Sequence, residues 1–135
     1  MEKKITLKNQ IGELERVNQF VEEIASELHL GDELCMNLNL VMEEMVSNVI
    51  FYAYPEGQNS SIELTAETKD GELTFVLSDS GKEFDPTAKE DADPNVSPIE
   101  RGIGGMGIYI VKNIMNQVTY QRLEGRNLLT MTKRI

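Results

Sequence analysis

Tryptophan is absent from this chain of 135 residues, and cysteine and histidine each occur once. A single cysteine, Cys35, excludes a disulfide framework. It reads as a structural thiol on a helix rather than a reactive one. The lone His29 has no Cys, His or Asp around it at metal-ligand spacing, so it reads as a helix-end residue. Positive charge is also scarce, with 13 Lys and Arg against 23 Asp and Glu, a net charge of −10. That balance argues against nucleic acid or an anionic membrane as the main partner, since both call for clustered Lys and Arg. No apolar run approaches the roughly 18 residues of a membrane span, and the start MEKKITLKNQ lacks the apolar core of a signal peptide. The expected location is therefore the cytoplasm. What is present is one domain, 1–135, read as complete in itself and long enough to bury roughly two-thirds of its surface.

Periodicity divides the chain into a short series of elements. Lys4–Leu7 alternates as a short edge strand. A helix is expected from Gly12 to Leu28, with Leu14, Val17, Val21, Ile24 and Leu28 on one face. Gly31 interrupts the pattern and Asp32 is placed to N-cap a second helix, which continues to Tyr54 and is stopped by Pro55 and Gly57. In that helix Leu34, Leu38, Val41, Met45 and Val49 form one apolar stripe. Glu43 falls nearly opposite it, and Glu44 and Asn48 sit one turn apart along its edge. Ile62, Leu64 and Ala66, then Leu73, Phe75 and Leu77, alternate on either side of Asp70-Gly71, a strong hairpin signal. Residues 86–101 carry Pro86, Pro94, Pro98 and several acids without periodicity, and read as a lid. The run Arg101-Gly-Ile-Gly-Gly-Met-Gly107 then opens a helix containing Ile108, Val111, Ile114 and Met115. Val118 and Tyr120, a turn at Glu124-Gly125, and Leu129 and Met131 form a closing hairpin. Hairpin-joined strands with three helices imply an α+β fold: a two-layer sandwich of a mixed, largely antiparallel sheet of about five strands, covered on one face by the helices.

Three stretches can carry chemistry, and each has a plain alternative. Glu44 and Asn48, at the border of a buried face, can look into a pocket, or can simply be the polar flank of an amphipathic helix. Asp79-Ser-Gly81 ends a strand: an ionised Asp accepts a hydrogen bond from an exocyclic amine such as that of adenine, with Gly81 leaving room for a flat ring. The same tripeptide also makes an ordinary turn. The glycine-rich helix start offers free N–H groups to a phosphate, or serves as a flexible hinge. It is neither a Walker A loop, lacking Gly-Lys-Ser/Thr, nor a Rossmann fingerprint, since no strand leads directly into it.

In that order the three stretches resemble the nucleotide-binding boxes of the GHKL (Bergerat-fold, histidine-kinase-like) ATPases, and within them the small anti-sigma-factor serine/threonine kinases of sporulation and stress switches. The likeness is carried by Glu44-Met-Val-Ser-Asn48 with Tyr52-Ala-Tyr-Pro55, by Asp79-Ser-Gly81 with Phe84-Asp-Pro86, and by Arg101 to Ile108 with Ile114-Met115. The resemblance implies that Asn48 holds Mg²⁺ beside the phosphates of ATP, and that Asp79 receives the adenine amine with Gly81 shaping the ring site. It implies that Gly102, Gly104, Gly105 and Gly107 offer backbone N–H groups to the phosphates under the lid, and that Glu44 is the general base. Thr130, in the last hairpin, is a further candidate on the adenine side. The implied activity is phosphorylation of an anti-sigma-factor antagonist by a kinase that otherwise sequesters a sigma factor, acting as a homodimer. A non-catalytic nucleotide-dependent binding module is the alternative. The chain departs from the family pattern at Glu83, where many relatives have Gly, at Asn116, where the close family often has Asp, and at Tyr52, often His.

Overall fold

The computed structural model describes residues 1–55, 57–88 and 105–135, with Gly105 and Met106 described by their backbone alone. Among these, five strands form one sheet: β1 Glu2–Lys8, β2 Ser61–Lys69, β3 Glu72–Asp79, β4 Gln117–Leu123 and β5 Arg126–Arg134. Their order is β1-β2-β3-β5-β4, and each neighbouring pair is antiparallel. The expected largely antiparallel sheet is thus wholly so among the described strands. Both tight hairpins turn on two residues of positive φ, Asp70-Gly71 (52° and 79°) and Glu124-Gly125 (50° and 78°). That geometry matches the right-handed twist of the strands they join.

Among the described residues three helices cover the sheet: α1 Leu14–Glu27, α2 Asp32–Asn48 and α3 Gly105–Ile114. None of the described helices is long and apolar enough to cross a membrane. A single 3₁₀ turn, Ile11–Glu13, leads into α1. The Glu13 carboxylate accepts the Lys8 N–H at 2.9 Å and meets Arg16. The Lys8 hydrogen bond is the main reason its pKa lies below the ordinary value. α1 ends with His29 in the left-handed region (φ 55°). There the Leu30 N–H reaches back to the Ala25 carbonyl, closing the helix as expected for a helix-end residue.

Two boundaries of α2 differ from the expectation. Gly31, extended at φ −70°, ψ 162°, is the N-cap and no side chain caps the helix; Asp32 lies inside the first turn, where its charge favours the positive end of the dipole instead. At the other end, regular α geometry stops at Asn48 and Val49–Ala53 continues as a π turn. A wider turn re-aims the side chains that follow, and such turns cluster at functional sites. The buried face of α2 also exceeds one stripe. Met42 and Val46 are buried together with Leu38, Val41, Met45 and Val49, because α2 is flanked by both α1 and α3. Each such side chain contributes about 1.5–3 kcal/mol of apolar burial.

The inner face of the sheet reads along each strand with a period of two. In β3 it is Leu73, Phe75, Leu77 and then Asp79, and in β5 it is Met131, Leu129 and then Asn127; all seven are buried. The two central strands therefore each end in a polar residue at a core position. Asp79 and Asn127 stand directly opposite one another in the β3–β5 register.

Candidate functional site

Glu44 and Asn48 are brought to the N-terminal turn of α3. A methyl group placed on Gly107 would lie 2.8 Å from Glu44 Oε2 and 3.7 Å from Asn48 Nδ2, so only glycine lets the helix backbone approach both side chains at once. Gly105 is the first residue of that helix, where the first-turn N–H groups lack intrahelical acceptors and suit an anion. Gly102, Gly104 and most of the expected lid lie outside the described residues. Of the lid, the described part is a 3₁₀ turn at Pro86–Ala88.

Asn48 is only 6% exposed, and none of the described residues hydrogen-bonds its carboxamide. Among the described residues no three His, Cys, Asp or Glu side chains gather as a metal cage. One buried amide oxygen with Glu44 a turn away fits Mg²⁺, a hard cation that keeps water and phosphate oxygens as most of its ligands.

At the other end of the site, Asp79 is 2% exposed. Its Oδ1 accepts from the Gly81 N–H at 2.9 Å and from Asn127 Nδ2 at 3.0 Å. Among the described residues no donor reaches Oδ2. Gly81 is pressed against the π turn, where an added Cβ would sit 2.3 Å from the Ala53 carbonyl oxygen. The next residue, Lys82, donates its N–H to that same oxygen at 2.8 Å, and the Ser80 N–H donates to the Tyr54 hydroxyl at 3.0 Å. The π turn after Asn48 and the strand end at Asp79 are therefore fastened together.

Asp79 opens onto a cleft lined by Met45, Val49, Leu77, Phe84, Pro86, Tyr120, Asn127 and Leu129, with a cavity of about 20 Å³. That is room for about one water molecule. It is too small for a planar ring as it stands. Phe84 in turn stacks on Tyr52, with ring centroids 5.7 Å apart and 27° between planes. This gives Tyr52, for which the sequence suggested no part, a place against Phe84, a residue of the cleft lining. A far larger groove of about 650 Å³ runs on the other side of Gly81, along Phe51–Pro55 and Ser80–Lys82. It includes none of Glu44, Asn48 and Asp79, so size does not mark the chemistry here.

Thr130 follows Leu129 and precedes Met131, both buried, and pairs with Val76 in the β3–β5 register. Alternation puts it on the open face of the sheet, away from Asp79. The residue that does stand beside Asp79 is Asn127, which the sequence reading passed over. Its carboxamide oxygen accepts from Tyr120 Oη at 2.5 Å, Arg122 Nη1 at 3.1 Å and the Phe84 N–H at 3.3 Å. Burial lifts the Tyr120 pKa above the ordinary phenol value, which keeps its hydroxyl a donor. Asn116, where the close family often has Asp, accepts the Arg134 N–H at 2.8 Å through Oδ1 and so secures the end of β5. Glu83 is exposed.

A family model described as a histidine kinase-like ATPase domain matches residues 7–133. The chain is 28% identical over 113 residues to the serine/threonine-protein kinase BtrW of Bordetella bronchiseptica, covering 84% of this chain and 80% of the relative. It is 29% identical over 103 residues to the serine-protein kinase RsbW of Staphylococcus aureus, covering 71% of this chain and 63% of that relative. Among solved structures, the RsbU and RsbW domains of a Mycobacterium tuberculosis protein share the fold, with a TM-score of 0.72 at 16% identity, over 99% of this chain and 32% of that one. The antiparallel sheet under three helices and a family match running almost end to end agree: the chain belongs to the histidine kinase-like ATPase domain family.

Proposed function

We propose that the chain is an ATP- and Mg²⁺-dependent protein serine/threonine kinase of the anti-sigma-factor type. Its substrate would be a small anti-sigma-factor antagonist, and in the absence of that partner it would hold a sigma factor. The observation that carries this reading is the convergence of Glu44, Asn48 and Gly107, with the carboxylate so close to the helix start that a methyl group on Gly107 would lie 2.8 Å from Oε2. Binding alone calls for the amide and the helix N-terminus; a carboxylate at the phosphate end adds a base. The kinase names of the relatives support the same reading.

In this mechanism Asp79 accepts the exocyclic amine of adenine in the cleft, and the first turn of α3 directs N–H groups at the phosphate chain. Asn48 would supply one oxygen to Mg²⁺, which when bound would neutralise phosphate charge. Glu44 accepts the proton of the serine or threonine hydroxyl as that oxygen bonds to the γ-phosphorus and the bond to the leaving ADP oxygen breaks. The decisive test is incubation with radiolabelled ATP, Mg²⁺ and a candidate anti-sigma-factor antagonist protein from the same organism. Label on a serine or threonine is the expected result. Nucleotide binding without transfer would convert the reading to a non-catalytic nucleotide-dependent switch.

Two variants probe the two ends separately. Asp79→Asn keeps an oxygen for the Gly81 N–H and Asn127 Nδ2 but turns a donor NH₂ toward the cleft, where the adenine amine needs an acceptor. A charged hydrogen bond contributes about 1.5–3 kcal/mol, so calorimetry should show ATP affinity falling roughly 10- to 150-fold. Gly107→Ala pushes its methyl against the far end of Glu44, 2.8 Å away, and a side-chain tip can yield where backbone cannot. The fold should tolerate it, with about 1 kcal/mol of helix propensity gained. Displacing the carboxylate by about 1 Å should lower turnover on the order of 100-fold.

A further inference from the structure

We propose that Asn127 is the positioning residue of the base-binding end. Its carboxamide locks the carboxylate of Asp79 to the root of the segment that leaves β3, and thereby sets both ATP affinity and the preference for adenine over guanine. This rests on the nucleotide reading above and concerns a residue outside the three sequence boxes.

Every polar position of this side chain is used. One Nδ2 hydrogen goes to Asp79 Oδ1 at 3.0 Å and the other to the Lys82 carbonyl at 2.8 Å. The oxygen takes Tyr120 and Arg122 from β4 and the Phe84 N–H from the cleft wall. Arg122 Nη1 also donates to the Gly81 carbonyl at 2.7 Å. One planar group thus joins β3, β4, β5 and the chain from Gly81 to Phe84. Only a carboxamide offers two donors and an acceptor in this plane; a carboxylate would lose both donors and face Asp79 with like charge.

The consequence is directional. With Oδ1 held by both Gly81 and Asn127, rotation of the Asp79 carboxylate is blocked and Oδ2 alone is presented to the cleft. A fixed acceptor there matches the amino group of adenine and opposes the oxo group of guanine. The same amide holds the Phe84 N–H by the longest of its bonds, 3.3 Å. None of these partners is Glu44 or Asn48, so the effect falls on binding rather than on the transfer step.

The test uses the full chain, with ATP and GTP titrated by calorimetry in the presence of Mg²⁺, followed by phosphotransfer at saturating ATP. For Asn127→Ala, ATP affinity should fall roughly 10- to 100-fold and the ATP-over-GTP preference at least about tenfold, with kcat kept within about threefold. Asn127→Asp, similar in size, should be no better than Ala. A loss equal for both nucleotides, or an unchanged affinity, overturns the proposal, since a merely structural residue leaves the ratio alone. If neither variant folds, Tyr120→Phe and Arg122→Gln, each removing one donor to the same oxygen, decide. A lowered ATP-over-GTP ratio in either supports the proposal, and an unchanged ratio in both overturns it. Absence of ATP binding by the unsubstituted protein would instead overturn the nucleotide reading itself.

Discussion

Glu44→Gln should still bind ATP with near-normal affinity and lose phosphotransfer by about 100- to 10,000-fold, the range spanned by general base catalysis. The substitution keeps the shape of the side chain beside Gly107, so the helix start and Asn48 keep their places. What it removes is the capacity to take a proton. Glu43 provides the internal control: adjacent in sequence, similarly half-buried, and turned about 100° around the helix axis. Glu43→Gln should change turnover by less than about twofold, as surface substitutions do. Equal losses in the two variants, measured as label transferred per minute at saturating ATP, would show that the acidity of the helix as a whole matters rather than one base. Loss of ATP binding in Glu44→Gln would place the carboxylate in ground-state binding and leave the switch as the better account.

The distinction between the two acids was legible from helical periodicity alone, and so were most elements. Alternation and the Asp-Gly turn are short-range signals, and the hairpins they mark need only local chemistry. What the sequence could not supply was the π turn at Val49–Ala53. Nothing in the residue types of that segment breaks a helix; the widening goes with a tertiary contact, since Ala53 must receive both Gly81 and the Lys82 N–H from a distant strand end. The N-cap of α2 was missed for a different reason. Gly31 and Asp32 both suit a helix start, and which one takes the extended conformation is a matter of one residue.

Asn127 is the instructive omission, because its signal was present. Leu129 and Met131 define the inward parity of β5, and that parity places residue 127 inward and Thr130 outward. A polar side chain at an inward position is the informative kind of exception, since burying an amide without partners costs free energy. The same rule picks out Asp79 at the end of β3. Thr130 was a candidate only through the family resemblance; strand parity is the stronger constraint, since a shift of one residue reverses the face.

The second large effect is expected at Gly81, where it should appear as a loss of the fold's closure rather than of one contact. A Cβ there would lie 2.3 Å from the Ala53 oxygen, 2.7 Å from its Cβ and 2.8 Å from its carbonyl carbon. Two of these three atoms are backbone, so no rotamer change relieves the overlap. Relief requires the π turn and the β3 exit to separate, which breaks the Lys82-to-Ala53 hydrogen bond and pulls on the Gly81 N–H that helps to hold Asp79. Overpacking of this kind costs about 3 kcal/mol or more, which for a chain of this length is a drop of roughly 10 °C in Tm. Gly12→Ala is the matched control, with nothing within 4 Å of the added methyl. Thermal melts of the two variants, paired with ATP titrations below their transitions, separate the outcomes. Gly81→Ala should melt early and, while still folded, bind ATP at least about tenfold more weakly, because the loss of one charged hydrogen bond at Asp79 is worth that much. A variant that melts early yet binds ATP normally would show that the junction serves stability alone and that Asp79 keeps its orientation without it.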